Sequence, residues 1–267
     1  MKKLTGAPRR PGAAIEQTSM ITRRSFFAGL MAGGAAAARW HAQAAEPIAR
    51  IQGEVRLIGS PPPEIPVDLT NFPECRAIAP NPLTTRHYIV GAEGALANVF
   101  VHVADGLPPG GRTPPSEPVL LDQRRCGFHP YVLGVHAGQT IRIRNSEPYL
   151  ETVHALPKIN REFNIAQPVT GMVNEVRFDH PEVLIKVKCE IHPWEFAFIG
   201  VVDHPFFAVT DSQGRFALPP GLPPGRYRLA ATHPKAGAHS IDVTLAPGET
   251  KSVRFDFKPH TAPSSPA

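Results

Sequence analysis

Residues 186–196 read KVKCEIHPWEF, and the rest of the chain is interpreted from this stretch. The alternating run VLIKVK at 183–188 leads into it, which predicts a β-strand that ends beside Cys189. Cys189 and His192 stand three positions apart in the segment that follows. Such a pair is compatible with metal ligands, with half of a disulfide, or with two buried core residues.

Short alternating runs on both sides of this stretch predict further strands, and sustained helical periodicity is missing after residue 44. Most of the 31 prolines and 22 glycines fall between the runs, where they would form turns and surface loops. Before residue 205 the predicted strands are 48–57, 87–90, 98–103, 132–135, 139–144 and 183–188. Many short strands separated by turns indicate an all-β sandwich or barrel.

A second unit is expected to begin at residue 205. About five strands are predicted between 206 and 257, enough for a small β-sandwich of their own. The predicted organisation is a leader at 1–44, a first β-domain at 45–204, a smaller sandwich at 205–258 and a disordered Pro/Ser/Thr-rich tail at 259–267.

The leader has the features of a twin-arginine (Tat) export signal. Arg23 and Arg24 precede an uncharged Ala/Gly-rich run at 28–38, and Ala42-Gln43-Ala44 is a small-x-small cleavage signature. The run is shorter than the roughly 20 residues that span a bilayer, so the mature chain is expected to lack a transmembrane segment. The expected location is the periplasm or the exterior.

Removal of the leader changes the charge balance. Seven of the 28 Lys and Arg residues and one of the 23 acidic residues precede residue 45, which leaves 21 positive and 22 negative side chains. A net charge of −1 gives no reason to expect a nucleic-acid partner.

Export also bears on the three cysteines, Cys75, Cys126 and Cys189. An oxidising compartment permits disulfides, but an odd count leaves at least one cysteine without an intramolecular partner. A thiolate with an imidazole selects copper or zinc. Structural zinc usually takes two such pairs, and since the sequence offers only one, copper is the better expectation.

Three segments together resemble the plastocyanin-like cupredoxins. They are NSEPYLETVH at 145–154, FNIAQP at 163–168 and KCEIHPW at 188–194, and Cys-x-x-His-Pro-Trp is the most specific part. The resemblance is greatest to a periplasmic subgroup labelled methylamine-utilisation-like, which continues into a carboxypeptidase-regulatory-like (transthyretin-like) sandwich. It covers nearly all of residues 48–257. It implies a cupredoxin-like Greek-key β-sandwich followed by the smaller one, and one bound copper ion.

Two positions depart from the pattern of that subgroup. Glu151 stands where its first histidine ligand is usual, and Glu195 stands where the axial methionine is usual. Three arrangements remain open: Glu151 replaces the imidazole, with His154 or Glu195 completing the shell; His154 alone substitutes; or the site has lapsed. The candidate ligands are therefore Cys189, His192, Glu151, His154 and Glu195.

The resemblance also implies the remaining roles. Cys75 and Cys126 are expected to form a disulfide, and a redox protein partner is expected to dock over the exposed histidine edge. The expected function is single-electron transfer, and no motif of a common enzyme class occurs. The alternative is a metal-free binding or scaffolding module of the cell envelope that has lost the copper site. The sequence does not indicate an oligomeric state.

Overall fold

The structure, a computed structural model, describes residues 48–110 and 112–260. Within these ranges it contains sixteen β-strands, one short helix, α1 (Pro73–Ile78), and a 3-10 turn at Ala92–Gly94. The strands are β1 (Arg50–Leu57), β2 (Phe100–Asp105), β3 (Val119–Gln123), β4 (Phe128–His129), β5 (Val132–His136), β6 (Ile141–Asn145), β7 (Glu151–Leu156), β8 (Phe163–Gln167), β9 (Val173–Val176), β10 (Glu182–Lys188), β11 (Phe196–Val202), β12 (Phe207–Val209), β13 (Arg215–Ala217), β14 (Gly225–His233), β15 (Gly237–Leu245) and β16 (Thr250–Phe257). The expectation of an all-β chain is confirmed.

The expected leader at 1–44 lies outside the described residues, as does the tail from residue 261 onward. In the part of the chain that the structure describes, no helix has the length and apolar character needed to cross a bilayer.

The first sandwich packs a five-stranded sheet, in the order β5-β11-β10-β7-β8, on a four-stranded sheet in the order β4-β3-β6-β9. Alternate residues of both sheets point into one core, as period-2 strands require. Fully buried members of that core include Leu121 of β3, Ile143 of β6, Val153 of β7 and Val187 of β10. The candidate site residues lie at one end of this core, which also contains Cys189.

The second sandwich draws its strands from both ends of the described chain. One sheet has the order β13-β1-β16 and the other has the order β12-β2-β14-β15. β1 runs parallel to β16 over the whole register from Arg50↔Thr250 to Leu57↔Phe257. The two sheets share a core that includes Ile51 of β1, Val101 of β2 and Phe255 of β16.

The domain boundary predicted at residue 204 therefore differs from the structure. The five strands after residue 205 are present, but β13 and β16 do not pair with each other. Strand β1 lies between them and pairs with both. Likewise β2 separates β12 from β14. Strand pairing across 200 residues cannot be read from local alternation, and within the described residues the two sandwiches belong to one compact unit.

Two aromatic rings of the second sandwich lie against glycines of the first. A Cβ added to Gly200 of β11 would lie 2.7 Å from the Phe100 ring, and one added to Gly134 of β5 would lie 2.6 Å from the Phe207 ring. Phe100 belongs to a small shared core with Val132 and Val202. Glycine at these positions is what allows the rings to approach the strand backbones so closely.

The strand predicted at 87–90 is wrong. The backbone N–H groups of His87 and Tyr88 donate to the carboxylate of Glu64, at 3.0 and 2.6 Å, and so have no strand partner. Val90 forms only an isolated bridge to Leu96. A side-chain acceptor here replaces the ladder that alternation predicted.

Candidate metal centre

Strand β7 and the loop between β10 and β11 carry the candidate ligands. Glu151 is the first residue of β7, and its side chain faces the core with that of Val153, two positions along. Cys189 directly follows β10 and continues the buried side of that strand. His192 and Glu195 lie in the loop before β11. Backbone hydrogen bonds from Cys189 N to Glu195 O and from Glu195 N to His192 O, both 2.9 Å, hold the loop in a tight turn.

Four of the five predicted ligands converge on the Nδ1 atom of His192. Glu151 Oε1 lies 3.1 Å from it, Glu195 Oε1 3.6 Å and Cys189 Sγ 3.7 Å. The Sγ atom of Cys189 lies 3.0 Å from Glu151 Oε2. One ligand atom each from Glu151, Cys189 and His192 all fall within 4.8 Å of one another, and Glu195 is not part of that group.

The four side chains are withdrawn from solvent. Glu151 and Glu195 are 0% exposed, and Cys189 and His192 are 1% exposed. An Oε1 atom of each carboxylate is buried without a hydrogen-bond partner. Two buried carboxylates beside a thiol are costly unless positive charge compensates them, and either a bound cation or an imidazolium supplies that charge.

The spacing fits a single ion. Ligand atoms about 2.0–2.3 Å from a tetrahedral ion lie about 3.3–3.8 Å from each other. Among Glu151 Oε2, Cys189 Sγ and His192 Nδ1 the separations are 3.0, 3.2 and 3.7 Å, so two of them would lengthen by a few tenths of an ångström around an ion. The cluster therefore fits one ion held by sulfur, imidazole nitrogen and carboxylate oxygen.

Burial and the charges within the cluster shift the pKa values of His192 and Glu195. Burial alone would lower the pKa of His192, but hydrogen bonds with Cys189 and Glu151, together with the charges of Glu151 and Glu195, raise it to about 10. Burial raises the pKa of Glu195, and the neighbouring charge of Glu151 adds to the effect. In the absence of an ion, the imidazolium of His192 is thus the group that balances the carboxylates.

His154, the fifth candidate, is not part of the cluster. It is three residues from Glu151 on β7, and an odd separation along a strand places its side chain on the opposite face. Its two ring nitrogens contact the carboxylates of Glu190 and Glu162 instead. These contacts raise the pKa of His154, with the Glu190 hydrogen bond the largest cause. The arrangement in which His154 alone replaces the missing histidine does not agree with the structure.

The disulfide between Cys75 and Cys126 is present, and it borders the site. The Tyr149 hydroxyl contacts both sulfur atoms, 3.4 Å from Cys75 and 3.0 Å from Cys126, while the Tyr149 ring lies edge-on to His192 with the centroids 5.5 Å apart. The two sulfur atoms lie within 4.8 Å of a Glu195 oxygen, but as a disulfide they do not offer thiolates.

The edge of His192 is covered, contrary to the expectation that it is exposed for docking. Phe72 packs on the imidazole at 5.6 Å and on Trp194 at 4.7 Å between centroids. Phe72 immediately precedes α1, which the disulfide at Cys75 ties to the first sandwich. The proline-rich segment around α1 therefore closes this side of the site.

Sequence reasoning missed Gln123, the last residue of β3. Its amide donates to Glu151 Oε2 at 2.8 Å and lies 3.5 Å from Glu195 Oε2, and the side chain is fully buried. Gln123 thus holds the two carboxylates in place. In the sequence, Gln123 stands out only as a polar residue near the end of an apolar run. That position does not show that its partner is Glu151 of β7.

No protein-family model and no curated protein matches the chain. Solved structures similar to part of it include the Novel Purple Cupredoxin from Nitrosopumilus maritimus, at 19% identity over 32% of this chain and 99% of that chain, with a TM-score of 0.28. A reduced amicyanin variant matches at 19% identity over 32% of this chain and 81% of that chain, with a TM-score of 0.28.

The Cu-containing nitrite reductase (NirK) from Thermus scotoductus SA-01 matches at 19% identity over 38% of this chain, with a TM-score of 0.29. This chain spans 26% of that enzyme's length. The sequence identities and TM-scores of these matches are low, so the chemistry of the site is inferred from its own atoms.

Proposed function

We propose that the protein is an exported, cupredoxin-like copper protein that carries single electrons and whose ligands include glutamate. The observation that supports this most directly is the buried convergence of Glu151, Cys189 and His192 within 4.8 Å. Glu195 is proposed as the fourth ligand because its carboxylate lies 3.6 Å from His192 Nδ1.

The donor set favours copper. Thiolate and imidazole suit copper and zinc, and at equal geometry a divalent site binds Cu(II) more tightly than Zn(II). Closed structural zinc sites use four Cys or His ligands, whereas here two of four donors are carboxylates. Carboxylate is a harder donor than thioether or imidazole, so Glu151 and Glu195 should favour Cu(II) and lower the reduction potential.

The protein's own groups hold the sulfur of Cys189 in place. The backbone N–H groups of Ile191 and His192 lie 3.3 and 3.4 Å from Cys189 Sγ, so both can donate to it. Burial excludes water, and Gln123 restrains Glu151. Copper, when bound, supplies a one-electron couple between Cu(II) and Cu(I). Rigid ligands keep the structural change on electron transfer small.

The proposed partner is another redox protein, and the proposed role is that of a carrier without a substrate pocket. Because Phe72 covers His192, the partner would meet the surface around α1 and not a bare imidazole edge. We further propose that export follows the twin-arginine route, which carries folded proteins. The second sandwich is proposed to be carboxypeptidase-regulatory-like and to act as a scaffold for the first.

The test is an absorption spectrum of the mature protein loaded with Cu(II). A thiolate-to-copper charge-transfer band that disappears in Cys189→Ser is the expected result. A matched control is Glu190→Gln, which changes the residue next to Cys189 but lies outside the ligand set and should retain the band. A featureless spectrum with no copper retained after gel filtration would reject the proposal.

One observation favours a second candidate, a metal-free module. The side chains of the site also bond to one another: Gln123 and Cys189 both contact Glu151 Oε2, at 2.8 and 3.0 Å. In this candidate the cluster only stabilises the sandwich, and Cys189→Ser would change stability without any loss of bound metal. Metal analysis of parent and variant separates the two candidates.

A further inference from the structure

The two ring nitrogens of His192 have different surroundings. Nδ1 lies within 3.1 to 3.7 Å of Glu151, Glu195 and Cys189. Nε2 is buried and has no hydrogen-bond partner. An unpartnered polar atom in a side chain that is only 1% exposed requires an explanation.

Metal binding at Nδ1 would make the missing hydrogen bond of Nε2 more costly. A neutral imidazole that ligates an ion through Nδ1 carries its proton on Nε2, so the ring then has a buried donor. A buried N–H without an acceptor loses its hydration and gains nothing in return. An acceptor must therefore lie near Nε2.

The neighbouring aromatic residues do not provide that acceptor. Phe72 has no polar atom, and the indole of Trp194 only donates. The Tyr149 hydroxyl lies on the disulfide, 3.0 Å from the sulfur of Cys126. The remaining group is the carboxylate of Glu74, whose Oε1 lies 3.8 Å from His192 Nε2.

Glu74 is held close to His192 by residues on both sides of it. Phe72, two positions before, packs on the imidazole, and Cys75, the next residue, is disulfide-bonded to Cys126. The Glu74 side chain is itself 36% exposed and thus has freedom to rotate. A movement of about 1 Å brings its oxygen to the 2.7–2.9 Å typical of a charge-assisted hydrogen bond.

We propose that Glu74 is a positioning residue of the copper centre, whose carboxylate accepts the Nε2–H hydrogen bond of His192. This inference rests on the proposed function. A carboxylate in this position fixes the tautomer and the orientation of the ring, and it increases electron donation from the imidazole to the ion. Glu74 thereby favours Cu(II) over Cu(I), although it does not touch the ion.

Three variants test the inference. Glu74→Ala removes the acceptor, and Glu74→Gln keeps an acceptor of similar shape without the charge. Glu190→Gln is the charge control, because Glu190 follows Cys189 but bonds to Lys188 and His154 and not to His192. Each variant is made in the full mature chain.

The first measurement uses metal-free protein labelled with nitrogen-15 at histidine. The Nε2–H resonance of His192 is expected downfield and protected from exchange in the parent and in Glu190→Gln. It should move upfield and exchange faster in Glu74→Ala, with Glu74→Gln between the two. A resonance that is unchanged in Glu74→Ala overturns the hydrogen bond and the inference with it.

The second measurement is the affinity of the same proteins for Cu(II) and for Cu(I). Loss of a partner of this kind typically costs about 10–100-fold in metal affinity, and in Glu74→Ala the loss should be larger for Cu(II). Equal loss for both ions, or an equal effect of Glu190→Gln, overturns the positioning role. If no protein in the series retains copper, the proposed function fails, whereas the resonance shift still decides the hydrogen bond.

Discussion

The Nδ1 atom of His192 lies 3.1 Å from a carboxylate oxygen of Glu151, and neither side chain is in contact with solvent. The resemblance noted in the sequence predicted a histidine at the position of Glu151, after the pattern of the methylamine-utilisation-like subgroup. In this chain a carboxylate occupies the position, and it is closed to water. The properties of the centre should therefore depend on its two glutamates.

Replacing Glu195 with methionine tests that dependence. Glu195→Met is expected to raise the reduction potential and to intensify the thiolate-to-copper band, because a neutral thioether favours Cu(I) whereas a carboxylate favours Cu(II). The measurement is a redox titration followed by absorption. Glu195→Gln, which removes the charge but keeps a hard oxygen donor, serves as the control and should raise the potential less. A lower potential in Glu195→Met would contradict the assignment.

The sequence predicted the members of this cluster better than their surroundings. Cys189 and His192 are close in sequence, and Glu151 and Glu195 were identified by the positions at which they depart from a pattern. Glu74 was not predicted, because its proximity to His192 depends on how a proline-rich segment folds back. The alternative in which His154 is a ligand does not agree with the structure, because residues three apart on a strand lie on opposite faces.

The disulfide should stabilise the fold and leave one free thiol. Cys75 and Cys126 are separated by 51 positions, and closing a loop of that size contributes about 2–4 kcal/mol. The double variant Cys75→Ser/Cys126→Ser should lose that amount in urea unfolding. Thiol titration of the denatured, unreduced mature protein should detect Cys189 alone; three reactive thiols would contradict the bridge.

The glycine contact between the two sandwiches should tolerate no added side chain. Gly200→Ala is expected to lower the free energy of unfolding by about 1–3 kcal/mol, because the new Cβ would lie 2.7 Å from the Phe100 ring. Thermal and urea unfolding measure the loss. The double variant Gly200→Ala/Phe100→Leu should recover part of it, and equal stability of parent and Gly200→Ala would show that the ring can move away.

Glu182 should give the fold a pH dependence in the acidic range. Its carboxylate accepts hydrogen bonds from the backbone N–H groups of Lys158, at 2.6 Å, and of Ile159 and Asn160, both at 3.1 Å. Burial alone would raise the pKa of Glu182, but these hydrogen bonds and that of the Asn160 side chain lower it below its ordinary value of 4.5.

The sign follows from the lowered pKa. The stabilisation is fully present above the ordinary value of 4.5 and is lost as the pH falls through the lower value in the folded protein. Glu182→Gln should therefore be less stable than the parent at neutral pH, by under about 1 kcal/mol because the site is partly exposed. The difference should shrink towards pH 3 in urea unfolding, and a difference independent of pH would contradict the assignment.

Strand β1 pairs along its full length with β16, so the first and the last strands of the described chain are direct neighbours. During synthesis, residues 50–57 cannot complete their sheet until residues 250–257 have been made and can pair with them. Contacts of such sequence separation slow folding, since the loop entropy is lost before the contacts form. Truncation within β16 would therefore leave β1 paired with β13 alone, and β1 would become an open edge of its sheet.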